Sequence, residues 1–98
     1  MEGELELLRN LSKQVPRLIA EAYGDRFTSK QLAYQKLEQA MRTISQIITK
    51  LDFLLTSIVH QETKQILINF VRKYELQRRK TLNLKRAWER WEEKKEKV

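Results

Sequence analysis

Four arginines and a lysine recur through the last third of the chain, at Arg72, Arg79, Arg86, Arg90 and Lys97. Projected on a helix at 100° per residue, all five fall within about 40° of one another. The guanidinium group is planar, remains charged at physiological pH and meets a phosphate through two parallel hydrogen bonds. A row of such groups, about 38 Å long at 1.5 Å per residue, suits contact with several phosphates of a nucleic-acid backbone. The same positions fit a solvated amphipathic helix tied by pairs such as Glu75–Arg79 and Glu93–Lys97. Glu75, Glu89, Glu93 and Glu96 collect on a separate flank, so the cationic face is not simply neutralised by its neighbours.

Other chemistry has little material. His60 is the only histidine and there is no cysteine, so a usual zinc set cannot be assembled and thiol catalysis is excluded. His60 falls at an expected helix end, where a solvated role is its natural reading. Asp52 stands beside Phe53–Leu55 but just off the apolar seam, which favours an exposed carboxylate over a buried one of raised pKa. Gly3 and Gly24 are too few and too far apart for a phosphate-cradling loop. No enzyme and no cofactor are expected from this inventory. Helix-turn-helix, zinc-finger, basic-zipper and RNA-binding-sheet signatures are also missing, so sequence-specific base reading has no support.

The charge that carries the row is unevenly distributed. The 98 residues hold 20 Lys and Arg against 13 Asp and Glu, a net charge of +7 with a pI near 9.9. Residues 1–24 carry −1, residues 25–60 carry +2, and residues 61–98 carry +6. An acidic partner is implied, and its contact belongs in the C-terminal third. A chain of this length makes a single domain. No apolar run exceeds three residues, which excludes membrane insertion by a spanning helix, and Glu2, Glu4 and Glu6 disfavour a signal peptide. An intracellular location is expected, cytoplasmic or nuclear/nucleoid.

The elements that must position the row are helical. Leu8, Leu11, Val15, Leu18 and Ala22 mark one face of a first helix over about 4–23, with Gly24 expected to close it in a left-handed conformation. Pro16 predicts a kink or a division into two short helices near residues 13–16. Thr28 and Gln31 read as a capping box, with Phe27 and Leu32 as a hydrophobic staple, opening a second helix over about 29–59. Along it Tyr34, Leu37, Met41, Ile44, Ile48, Leu51, Leu55 and Ile58 alternate spacings of three and four as in a coiled coil. Ala33, Ala40, Ile47 and Leu54 widen the stripe, so this helix should pack against at least two neighbours.

Beyond residue 60 the apolar register shifts to Ile66, Leu67, Phe70, Val71 and Tyr74. A reversal at 60–63, with Thr63 as N-cap, accounts for the shift, and the third helix then covers about 63–97. An interruption at 81–83 would create a short fourth. The fold class is therefore an all-α antiparallel bundle of three long helices in one domain, 1–98.

Leu37, Met41, Ile44, Ile48, Leu51, Leu55 and Ile58, with Trp88 and Trp91, form the expected assembly interface. The second helix outreaches the first, and paired tryptophans often anchor interfaces. A protein partner or self-association follows. By fold-level analogy alone, small basic helical subunits serve in nucleic-acid machines such as polymerase assemblies and RNA-guided effector complexes. The expected function is non-specific backbone binding by a non-catalytic subunit of a nucleic-acid-processing assembly. The rival is a purely protein–protein module, such as a coiled-coil adaptor or viral structural subunit.

Overall fold

A computed structural model describes residues 2–96, which form α1 (Glu2–Asp25), α2 (Lys30–Leu55) and α3 (Gln61–Glu96). The expected stripe of α1 is buried at Leu11, Val15, Leu18 and Ala22, with Leu8 half-buried. Contrary to the expected division at residues 13–16, α1 runs unbroken through Pro16. Pro16 is exposed, so its ring lies on the outer side of the helix, away from the buried stripe. Burial of Val15 and Leu18 on either side offsets the cost of the proline, about 3 kcal/mol relative to Ala.

The left-handed ending expected at Gly24 does not occur. No positive φ is present among the described residues, and the helix continues to Asp25. A hydrogen-bonded turn closes it instead. The Arg26 N–H donates to the Ala22 carbonyl at 3.0 Å, and the Thr28 and Ser29 N–H groups donate to the Asp25 carbonyl at 3.0 and 2.7 Å.

The N-cap of α2 is Ser29, one residue later than the expected Thr28. Ser29 has extended geometry (φ −152°, ψ 105°), and its hydroxyl accepts from the Leu32 N–H at 3.4 Å. The Thr28 hydroxyl donates to the Asp25 carbonyl at 3.3 Å and so belongs to the preceding turn. Phe27 is 85% exposed, so the staple does not cover it.

Helix α2 ends at Leu55, earlier than expected, because hydroxyl-bearing residues there take over the backbone groups. The Thr56 hydroxyl donates to the Phe53 carbonyl at 2.6 Å, and the Ser57 N–H donates to the Leu54 carbonyl at 3.0 Å. Ile58 consequently lies outside the helix. Helix α3 begins at Gln61, with the His60 carbonyl accepting from the Lys64 N–H at 3.0 Å. Thr63 therefore sits inside the first turn rather than at the N-cap. No interruption occurs at 81–83: Thr81 is buried, and its hydroxyl donates to the Gln77 carbonyl at 2.8 Å, satisfying it within the helix. Lys97, and with it the last residue expected of this helix, lies outside the described residues.

Two antiparallel reversals place α2 between α1 and α3. Lys36 meets Glu21 at 2.7 Å on the α1 side, while Glu38 meets Lys85 at 3.0 Å and Lys30 meets Glu92 at 3.6 Å on the α3 side. One core joins Leu11, Val15, Ile44, Ile47, Leu51 and Val71; a second joins Ala22, Ala33, Leu37 and Trp88. Each fully buried Leu or Ile contributes about 1.5–3 kcal/mol by leaving water. Among the described residues no Cα of α1 comes within 8 Å of one in α3. Side chains bridge that gap. The Tyr74 hydroxyl donates to Ser12 Oγ at 3.1 Å, and Ser12 donates to the Leu8 carbonyl at 2.7 Å. Tyr23 meets Trp88 edge-on with ring centroids 5.2 Å apart. The bundle is elongated, 58 × 21 × 14 Å.

Candidate nucleic-acid interface

The inner side of α3 is set by Val71, Thr81 and Trp88, which are buried, and by Leu67, Tyr74 and Leu84, which are half-buried. Helical periodicity then turns Arg72, Arg79, Arg86 and Arg90 outward, and all four are exposed. Because the helix is unbroken between them, the four share one straight face about 27 Å long. Among the described residues none has a carboxylate within 4.0 Å, and the expected Glu75–Arg79 pair is not formed. The Glu93–Lys97 pair falls outside what the structure describes. Lys73, Arg78, Lys80 and Lys94 add exposed charge on the same helix.

Not every cation of α3 is available in this way. Lys85 is held by Glu38 at 3.0 Å and by Glu89 at 3.5 Å. The hydrogen bond that Lys85 donates to Glu38, against a smaller opposing effect of burial, raises the Lys85 pKa above that of an ordinary lysine. On the opposite side of α2, the hydrogen bond from Lys36 lowers the pKa of Glu21. These pairs fasten helix to helix; the outer arginines fasten nothing.

The fold adds a cation that sequence reasoning did not select. A groove of about 590 Å³ between α2 and α3 has Met41, Ile48 and Leu82 as its apolar lining and Arg78 and Arg79 at its edge. Further along, Arg42 of α2 lines the same α2–α3 face with Arg78. Helical phase alone marks Arg42 as off the apolar stripe; only the pairing of α2 with α3 brings it to the basic side.

The expected assembly residues divide into two groups. Leu37, Ile44, Leu51 and Trp88 are buried within the chain, so contact through them would require the bundle to open. Met41, Ile48, Leu55 and Ile58 are half-buried, and Trp91 is 53% exposed. Other apolar side chains stand out unforeseen. Leu5, Phe53, Val59, Ile66 and Phe70 are exposed toward the end of the bundle where α2 turns into α3.

At the opposite end, the Arg26 guanidinium carbon lies 4.8 Å from the Trp88 ring centroid, 5.7 Å from that of Trp91 and 5.9 Å from that of Phe27. Nearby, burial pushes the Tyr34 hydroxyl up to about 12, with the Glu92 carboxylate, as acceptor and as charge, and the Glu89 charge adding to the effect and Arg26 opposing it. His60 and Asp52 are exposed. Among the described residues there is no cluster of three or more His, Cys, Asp or Glu suited to a metal ion. Nor is any helix long and apolar enough to cross a membrane. Comparison with protein-family models, curated proteins and solved structures found no match for the chain.

Proposed function

We propose that this chain binds nucleic-acid backbone without sequence preference, through the outer face of α3, as a non-catalytic subunit of a larger nucleic-acid-processing assembly. The observation that carries the reading is the row of Arg72, Arg79, Arg86 and Arg90, exposed on one unbroken helix and without carboxylate partners among the described residues. Arginines that stabilised the bundle would be paired, as Lys36 and Lys85 are. Unpaired guanidinium groups in a row repel one another, and a polyanion relieves that repulsion while releasing its counterions. An intracellular setting, where nucleic acid is at hand, goes with this reading.

Titration of the full chain with mixed-sequence oligonucleotides over a range of salt is the test. Three or four phosphate contacts predict that log affinity falls with log salt at a slope of about −2 to −4, similar for unrelated sequences. Salt-independent binding, or none at low salt, contradicts the reading.

A second reading, a protein-interaction or self-association module, is favoured by the exposed Leu5, Phe53, Val59, Ile66 and Phe70. Exposed apolar side chains at one end of a bundle suit a contact surface. Sedimentation of the purified chain tests the self-association branch. Concentration-dependent association abolished by Phe53→Ser and Phe70→Ser supports it; a monomer at every concentration contradicts it.

A further inference from the structure

We propose that the end of the bundle where α1 leads into α2, beside the last turns of α3, is a stacking site for unpaired bases, so that the nucleic acid favoured by α3 is single-stranded. The proposal rests on the backbone-binding reading above and adds the class of strand to it.

Three aromatic side chains remain in solvent at this end: Phe27 at 85%, Trp91 at 53% and Tyr23 at 47% exposure. Exposure of one apolar ring is ordinary, but two of these flank a single cation. The Phe27 and Trp91 centroids both lie within 6 Å of the Arg26 guanidinium carbon. Arg26 is itself held 4.8 Å from the ring of Trp88, which is 5% exposed and packs in the core with Ala22, Ala33 and Leu37. Tyr23 braces Trp88 edge-on. Tyr23 and Trp91 are thus held on helices beside a core-anchored tryptophan, and Phe27 follows Arg26 in the hydrogen-bonded turn between α1 and α2.

The surroundings supply charge of the right sign. Arg90 and Lys94, both exposed, stand one residue before and three residues after Trp91 on α3. Of the described carboxylates within a turn of Trp91, Glu92 is engaged by Lys30 at 3.6 Å and Glu89 by Lys85 at 3.5 Å. The arginine row therefore ends beside the aromatic cluster. Every base has a π-face, so an aromatic platform next to a cationic track binds single strands with little regard to sequence. A duplex keeps its base faces stacked inside and offers the track only phosphates. Stacking is worth about 5- to 150-fold in affinity for each base engaged.

The experiment measures fluorescence anisotropy of labelled 20-nucleotide single strands, oligo(dT) and oligo(U), and of a 20-base-pair DNA duplex. The full chain, Phe27→Ala and Phe27→Ala with Trp91→Ala are compared at two salt concentrations. The parent protein should bind the single strands at least ~10-fold more tightly than the duplex. Phe27→Ala should weaken single-strand binding by about 5-fold or more and leave duplex affinity and salt slope unchanged. Because Phe27 is so exposed, its removal should leave the thermal midpoint intact, which circular dichroism checks; Trp91→Ala also removes a ring from Arg26, so the single variant is decisive. Equal affinity for strand and duplex, or Phe27→Ala without effect on single strands, overturns the stacking site and leaves backbone binding standing. Absence of binding to all three probes sinks both.

Discussion

The Tyr34 hydroxyl is buried with no hydrogen-bond partner of close geometry among the described residues, the Glu92 carboxylate being near enough only to favour its protonated form, whereas the buried hydroxyls of Thr43 and Thr81 each donate to a carbonyl one turn back. A buried polar group left unpaired costs stability, and here it also resists ionisation. A tyrosine in the unfolded chain titrates near about 10. Folding holds Tyr34 protonated up to about 12. Between those values the folded state keeps a proton that the unfolded chain has released, so stability is fully present below the unfolded pKa and is lost as pH rises through this window. Lys85, whose pKa is also raised, acts in the same direction at high pH. Urea unfolding should therefore show stability falling above about pH 10, with a shallower fall in Tyr34→Phe. At pH 7 the same variant should differ from the parent by less than about 1 kcal/mol, since it keeps the ring and removes a hydroxyl with no close partner; a larger loss would show that the hydroxyl bonds the Glu92 carboxylate.

At the scale of the helices, what was legible in the sequence was the middle of each element. The buried positions of α2, Leu37, Ile44 and Leu51 with Ala33, Ala40 and Ile47, were readable because burial on a helix face imposes its period on the sequence. The ends were not. Thr28 and Ser29 carry nearly equivalent hydroxyls one residue apart, and which of them caps depends on the competing Asp25 carbonyl. Pro16 leaves α1 undivided for a related reason: its cost is local, while the burial that offsets it comes from α2. Gly24 offers a direct check on the revised ending. It is exposed and helical, and a Cβ added there meets nothing within 4 Å. Gly24→Ala should therefore stabilise the protein by about 0.4–1 kcal/mol in urea unfolding. Destabilisation would restore the left-handed ending.

Taken as a whole, the molecule joins a core built by α1, α2 and the inner face of α3 to a charge that lies mostly on the outer face of α3. The outward row Arg72, Arg79, Arg86 and Arg90 was legible because residues four and seven apart return to nearly the same side of a helix. Arg42 and Arg26 were not, since their neighbours come from another helix, as the α2–α3 groove and the Trp88 and Trp91 rings show. A net charge of +7 on 98 residues, with few ion pairs on the outer face, burdens the compact state with self-repulsion. The thermal midpoint should rise when sodium chloride is increased from 10 to 150 mM, on the order of a tenfold change in screening ion. A fall would mean that the inter-helix pairs of Lys36 and Lys85, which salt weakens, outweigh the repulsion.

The central claim is that the outer arginines of α3 contact phosphates, and the difference in salt slope between two proteins tests it most directly. Arg72, Arg79, Arg86 and Arg90 are changed together to Gln, which keeps length and polarity while removing four charges. Their exposure predicts an unchanged helical spectrum, and relief of their mutual repulsion a midpoint no lower than that of the parent. Affinity for unrelated oligonucleotides should fall alike, and the slope of log affinity against log salt should become shallower by about 2–3 units if most of the four engage. A quadruple variant that keeps the parent's affinity and slope would contradict the claim outright.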